Sequence, residues 1–438
     1  MRAKPLQFLT YARGLLTHLK LFRHPQPQLQ FAWNCTTWGL LLLSVMPPFG
    51  ALALLIGAIA LWCQEWRSLL QDRFHWVLGV LGVWLIAISS VAANPGDSWL
   101  GLGNFLPFFL LFAAWSRLIQ TPHQLRQIGL ILVFSSIPVS ILGCGQLWAA
   151  WAGISQLEPI LGWILVKNGE PLGRMSSTFM HANTLGAYLQ LVFILGLGLW
   201  IEARDHLGRE KIPGKLQLIW LSIAVILDGV ALVFTNSRNA WAIAALACLV
   251  FALYRGWVWL VGLVAGMVGA IAWSAFGLEP GRYWLRKVIP AFFWARLTNQ
   301  MYPDQPLALQ RTTQWQFAWD LTLARPWTGW GLRNFTALYL EKTQTQLNHP
   351  HNLFLMLTAE TGIPTTLLFL GAIAFILARA ILILIRQAAD RLILFTYLVA
   401  FTGLILFNTV DVSLFDFRVN TLGWLILAAI WGVVRLGS

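Results

Sequence analysis

Residues 216–276 read LQLIWLSIAVILDGVALVFTNSRNAWAIAALACLVFALYRGWVWLVGLVAGMVGAIAWSAF, and this stretch decides the fold class. It holds three apolar runs, near 216–235, 237–254 and 256–276, and its only charged residues are Asp228, Arg238 and Arg255. A helix needs about 20 apolar residues to cross a bilayer, so each run is long enough for one crossing. Working outward, similar runs lie near 31–46, 49–64, 74–93, 99–116, 127–151, 179–201, 363–385, 392–410 and 419–434. Pro47-Pro48-Phe49-Gly50 closes the first pair into a hairpin, because Pro and Gly punctuate helices. The expected fold is an all-α polytopic membrane protein of about 12 transmembrane helices with a large external loop subdomain. Composition agrees: 58% of the 438 residues are hydrophobic and 11% charged, against about a quarter charged in soluble chains. That balance excludes a soluble multidomain enzyme.

Basic residues set the orientation. Eighteen of the 30 Lys and Arg fall in one set of alternate loops and termini, and four (Lys167, Arg174, Arg238, Arg418) in the short loops opposite. The other eight lie in the loop 277–350, which is too long for the positive-inside rule to count. Both termini are therefore expected in the cytoplasm and the long loop outside. The net charge of +13 is mainly this topology signal and not a nucleic-acid footprint. The expected organisation is 1–30 as a cytoplasmic amphipathic segment and 31–276 as transmembrane helices one to nine. Next come 277–350 as an external loop subdomain (periplasmic under the resemblance given below), then 351–438 as a short external helix and three further spans. Leu6, Leu9, Leu16, Leu19 and Phe22 interspersed with Arg2, Lys4, Arg13, Lys20 and Arg23 read as a surface-lying helix, not as a signal peptide. Cys35, Cys63, Cys144 and Cys248 lie inside apolar runs without metal-ligand spacing and read as small core residues.

Polar chemistry gathers on the external side. The 277–350 loop mixes aromatic with basic residues (Tyr283, Trp284, Arg286, Lys287, Trp294, Arg296) and carries a net +4. Such a cap suits an anionic lipid headgroup bearing sugars. Asn348-His349-Pro350-His351-Asn352 opens the short segment LFLMLTAETG, which ends at Gly362 before Pro364. His351 is expected near a helix start, where the positive end disfavours imidazolium and leaves a proton acceptor. His349 stays beside it as an alternative base. In the turn Thr235-Asn236-Ser237-Arg238-Asn239, Arg238 re-enters lipid, and its planar fork suits phosphate oxygens. Arg311 and Arg174 are further external arginines. His181 and Asn183 open a span and read as interhelical contacts. Asp228 sits mid-span, a position that marks function by default, with a proton path or an internal pair both open. Glu360, nine residues past His351, faces roughly the opposite side of a helix and is a poor orienter for it. GREKIPGKL departs from a phosphate loop in spacing and lacks its metal-binding hydroxyl. No metal, cofactor or ATP is expected.

Three segments taken in order resemble the O-antigen ligase/polymerase superfamily of bacterial membrane glycosyltransferases: TNSRNAW at 235–241, RTTQWQFAWDLTLARPWTGWGLRNF at 311–335, and HPHNLFLMLTAETGIP at 349–364. The resemblance covers most of the chain, including the twelve-span layout. It implies a donor glycan on undecaprenyl diphosphate, with Arg238 and Arg311 holding the diphosphate and His351, in an H-x-x-x-L element ending at Leu355, acting on the acceptor hydroxyl. The acceptor would be lipid A core, a second lipid-linked chain or a protein side chain, which separates ligase, polymerase and O-oligosaccharyltransferase. The implied setting is the bacterial inner membrane, with the periplasmic face active and no nucleic-acid partner. The sequence departs at Asn239, where the family usually has Gly, and His181 to Leu185 offers a second H-x-x-x-L. GRMSSTFMHANTLGAYL also resembles a cyanobacterial branch proposed to transport bicarbonate. A small-anion transporter is therefore the competing expectation, with a lipid-carrier flippase a third.

Overall fold

The computed structural model describes residues 23–205, 213–298, 306–386 and 390–435. The expected amphipathic helix within 1–30 falls almost wholly outside them. Among the described residues the chain is helical, with no strand. The first six helices are α1 (Gln30–Leu43), α2 (Pro47–Gln71), α3 (Arg73–Ser90), α4 (Pro95–Gly101), α5 (Leu106–Leu118) and α6 (Pro122–Trp148). After a 33-residue stretch of turns and helical pieces of three or four residues come α7 (Ala182–Asp205), α8 (Pro213–Phe234), α9 (Arg238–Arg255) and α10 (Val258–Phe276). The loop region carries α11 (Gly281–Val288), α12 (Ala291–Leu297), α13 (Arg311–Ala324) and α14 (Asn334–Thr343). The chain closes with α15 (Leu353–Arg386), α16 (Arg391–Phe407) and α17 (Phe417–Val434).

Each of the twelve expected spans coincides with a helix or a helix pair, α4 and α5 sharing one. Nine helices among the described residues are long and apolar enough to cross a membrane. Helices α1, α9 and α16 fall outside that set, α1 having 14 residues and α16 having 17. The protein is a multi-pass, all-helical membrane protein, and nine is the number of crossings that length and hydropathy support. Helix α2 runs to Gln71 but is kinked at Glu65 (φ −121°, ψ 16°), directly after the expected 49–64 span. The span expected from 179 starts at Ala182, because Ser177–Phe179 form a separate 3-10 turn.

Two helices occupy the centre. The apolar windows of α7 and α17 are 78% and 89% buried, against 11% for α10, so α10 is peripheral. The cysteines are not core residues: Cys63 is exposed and the other three are half-buried.

Helix α15 is continuous in hydrogen bonding but broken in direction at Gly362, whose φ is 80° and ψ 164°. This is the Gly-x-Pro stop expected at 362–364. It divides α15 into a short segment 353–361 and a span beginning near Pro364. The break receives the WTGWG turn of the loop. Trp330 N–H donates to the Ala359 carbonyl (3.0 Å), Gly331 N–H to that of Glu360 (2.9 Å), and Ile363 N–H to that of Pro326 (2.8 Å). A Cβ at Gly329 would come within 2.4 Å of Glu360 backbone, and one at Gly362 within 2.5 Å of the Trp327 carbonyl. Both glycines have positive φ, so these positions need glycine for conformation and for space. A small second core of Phe317, Ala318, Leu321, Phe335, Tyr339 and Ala359 then seats α13 and α14 on the short segment.

Candidate functional site

The ends of α8, α9, α15, α16 and α17 that carry the expected motifs meet at one end of the bundle. Residue pairing there begins with Asn239, whose side-chain N–H donates to the Phe407 carbonyl (2.9 Å), fastening the start of α9 to the end of α16. Leu353 N–H donates to the Asn408 carbonyl (2.9 Å), bringing the start of α15 to the same place. Asn239, the departure from the family pattern, thus ties two elements together.

His351 sits in this junction with a left-handed backbone, φ 51°, before the helix. The helix itself starts at Leu353 and not near Pro350: Asn352 Oδ1 accepts from Leu355 N–H (3.0 Å), the side-chain cap preferred at helix starts. The larger correction concerns what orients the imidazole. His351 Nδ1 lies 3.2 Å from Asp411 Oδ1, in the α16–α17 loop. With the carboxylate accepting from Nδ1–H, the ring is fixed in the tautomer whose Nε2 carries the lone pair. Asp411 also accepts from Val412 N–H (2.9 Å) and from the Asn183 amide (3.0 Å). Its burial would raise its pKa, but the bond and charge of His351, the charge of His349 and the Val412 N–H hold it below the usual carboxylate value.

His349 is differently placed. Its Nδ1 accepts from His351 N–H (3.2 Å), its ring stacks on Phe415, and the two imidazoles meet edge-on at 4.6 Å. Burial, then positive charge on His351, His181 and Arg311, pushes it down to about 4 against the pull of Asp411. It is a neutral ring with one lone pair already engaged.

A chain of hydrogen bonds connects this pair to the Thr235–Asn239 turn. Asn183, bonded to Asp411, accepts from the Arg174 guanidinium at 2.6 Å, and Arg174 Nε donates to the Thr235 carbonyl at 2.9 Å. Met175 N–H donates to the Phe234 carbonyl (2.8 Å), holding the 174–179 strip against the same turn. Arg418 locks the strip from below: it donates to the Thr178 carbonyl (2.7 Å), pairs with Asp416 (2.8 Å) and lies 3.8 Å over the Phe179 ring. His181 lies within electrostatic reach of Asp411 and His351, and burial lowers its pKa, with Arg174 and His351 adding to the shift against Asp411 and Glu170.

Of the residues expected from the sequence, His351, His349, His181 and Arg174 converge. Arg311, exposed at the first turn of α13, is close enough to His349 to act on its charge. Arg238, also exposed, opens α9 one residue before the Asn239 tie. Asp228 stands apart: it is fully buried and accepts from the Ser136 (2.7 Å) and Ser140 (2.8 Å) hydroxyls of α6. Glu360 is buried and accepts from Phe335 N–H (3.3 Å), serving the loop and not His351. Asn183 makes a polar contact of the kind read from the sequence, with Asp411, and His181 is a secondary site candidate from the sequence, but Asp411 is missed altogether. Its only sequence signal is an acidic residue in the external VDVSLF link between two spans.

The ligand-capable atoms of His349, His351 and Asp411 lie within 4.8 Å of one another. The trio is compact enough to face one cation, although His351 and Asp411 already satisfy each other. No curated protein matches the chain. Residues 223–370, which include Arg238, Arg311, His349 and His351 but not Arg174, Asn183 or Asp411, match the family model Wzy_C, described as O-antigen ligase, which supports the resemblance to the O-antigen ligase/polymerase superfamily.

Proposed function

We propose that the protein transfers a glycan from undecaprenyl diphosphate to an acceptor hydroxyl at the periplasmic face of the bacterial inner membrane, without ATP or a metal. The observation that carries this reading is the His351–Asp411 pair (3.2 Å) linked through Asn183 and Arg174 to the Thr235–Asn239 turn. A base with its orienter and an arginine-bearing turn are the two parts such a transfer requires. His351 Nε2 takes the acceptor hydroxyl's proton as that oxygen bonds to the donor's anomeric carbon. The bond from that carbon to the diphosphate oxygen breaks, and its electron pair leaves with the lipid diphosphate. Arg238 and Arg311 hold the diphosphate and face the charge that grows on it, a form of stabilisation that works best when prearranged. Asp411 keeps the imidazole in register and faces the charge that develops on the ring. His349, its Nδ1 engaged, is a packing partner and not the base.

Purified protein in liposomes, given undecaprenyl-diphosphate-linked glycan, tests this reading. Separate arms supply lipid A core, a second lipid-linked glycan, or a protein acceptor. Transfer in one arm, without nucleotide and with EDTA present, is the expected result and names the acceptor class. Transfer abolished by EDTA would assign the His349–His351–Asp411 trio to a cation instead. Bicarbonate flux with no transfer in any arm would favour the transporter.

A further inference from the structure

Three side chains at the loop junction bring metal-ligand chemistry to one point. His351 Nδ1 and Asp411 Oδ1 stand 3.2 Å apart, and the His349 and His351 rings meet edge-on with centroids 4.6 Å apart. One donor atom from each of the three lies within 4.8 Å of the other two. Neighbouring ligands on a tetrahedral zinc ion lie about 3.3 Å apart, as bonds of about 2.0–2.1 Å to nitrogen and oxygen require. The His351–Asp411 edge already has that length, and His349 closes the remaining distance by rotating about its own side-chain bonds. Two imidazoles with one carboxylate hold zinc and leave its fourth position open. Magnesium and calcium take oxygen ligands and fit this set poorly.

The surroundings select this place over the molecule's other approach of a histidine to an aspartate. His75 and Asp72 come within 3.6 Å, but Arg435 already pairs with that carboxylate at 2.9 Å. Among the described residues only the junction gathers a third ligand. Asp411 is engaged by His351, the Val412 N–H and the Asn183 amide, so no arginine matches its charge. The bonds from Val412 and Asn183 hold the carboxylate's orientation, as outer partners do for metal ligands, and neither has to break when an ion takes the His351 side. Entry is from that side: the His351 side chain is 28% exposed and that of Asp411 9%. An ion is thus held over a largely buried negative charge.

We infer that His349, His351 and Asp411 form a zinc site whose occupancy switches off glycan transfer. The inhibition rests on the transfer reading above; the binding does not. A neutral imidazole has one lone pair and one N–H. An ion at His351 Nδ1 sends the ring proton to Nε2, which then donates where the reaction needs it to accept. An ion at Nε2 takes the lone pair itself. Either way the base is lost, so the ion and the acceptor hydroxyl exclude one another. His349 gives up the 3.2 Å bond that its Nδ1 accepts from His351 N–H, a small loss beside a metal bond. His349, which the reaction does not use as a base, is the residue that turns the pair into a metal site.

The test uses the full-length, tag-free protein in phosphatidylcholine nanodiscs, stripped with EDTA and then freed of it. Titrated Co²⁺ should give the visible d–d bands of a tetrahedral site at one ion per chain, and Zn²⁺ should bleach them. His349→Ala and Asp411→Asn should each weaken Zn²⁺ binding at least about tenfold, a loss that even outer partners of a metal site produce. His75→Gln, at the other histidine–aspartate approach, should leave binding unchanged. In the liposome transfer assay micromolar Zn²⁺ should inhibit, EDTA should restore the rate, and Mg²⁺ at the same concentration should do nothing. His349→Ala, measured against its own zinc-free rate, should need about tenfold more Zn²⁺ for the same inhibition. Absent cobalt bands, or zinc binding indifferent to both ligand variants, would overturn the site. Transfer by the zinc-bound protein at the metal-free rate would overturn the inhibition, and stimulation by zinc would overturn the metal-free reaction with it. A protein that binds the ion through the trio but transfers nothing refutes only the proposed reaction. One that transfers glycan but binds no ion refutes only the site.

Discussion

The two ends of the helical bundle differ in what their carboxylates engage. At the end where α2, α5, α7, α9 and α17 finish, carboxylates pair with arginines: Arg117 with Glu65, Arg126 with Glu202 and Asp390, Arg255 with Asp205, and Arg435 with Asp72. At the other end Asp416 also pairs with an arginine, Arg418, but the buried carboxylate Asp411 engages a histidine and an asparagine. Arg174 there donates to the Thr235 carbonyl and the Asn183 amide. The first arrangement neutralises charge and closes the bundle. The second keeps a histidine oriented and sets the Arg174 guanidinium on a backbone carbonyl and an amide oxygen.

The contrast breaks most visibly at His351. His351→Ala should retain donor binding and lose transfer by about 10²–10⁴-fold, the range for removing a general base, whereas His349→Ala should be milder; rate assays beside a donor-binding assay separate the two. Asp411→Asn should cost about 10²-fold or more, because an amide no longer enforces the Nδ1–H tautomer. A full rate in that variant would reduce Asp411 to a structural ligand of Val412 and Asn183.

Arg238→Lys and Arg311→Lys come next. Each replaces a bidentate fork by a point charge and should weaken the donor about tenfold, seen as a raised KM at fixed acceptor. Unchanged KM in both would make them interface anchors. Gly362→Ala should destabilise the loop's seat by about 1–3 kcal/mol, the usual range for a strained backbone position, read as a lower Tm in detergent. The smallest effect belongs to the closed end: Arg255→Ala removes a half-exposed pair with Asp205, worth about 0–1 kcal/mol, and transfer should be unaffected.

What the sequence made legible follows from what is local. Apolar runs located the helices because a membrane demands length and hydropathy along one segment. The break at Gly362 was legible from Gly and Pro in sequence, and the histidines and arginines from their place at span ends. Asp411 was not, since it lies 60 residues from His351 and 228 from Asn183, and no periodicity pairs the ends of distant helices. The helix start near His351 was legible as well, although the side chain that caps it, Asn352, was not singled out. Asp228, for which the sequence leaves a proton path and an internal pair both open, has its partners one helix away in two serines that no local pattern pairs with it.

The central claim is that His351 and Asp411 act as one unit, and a double-mutant cycle in the liposome transfer assay tests it most directly. Residues that work as a unit lose little more together than the critical one alone. The account predicts that His351→Ala with Asp411→Asn transfers at the rate of His351→Ala by itself, with donor binding intact in all three variants. Losses that multiply, or a His351→Ala protein that transfers at the parent rate, would contradict it.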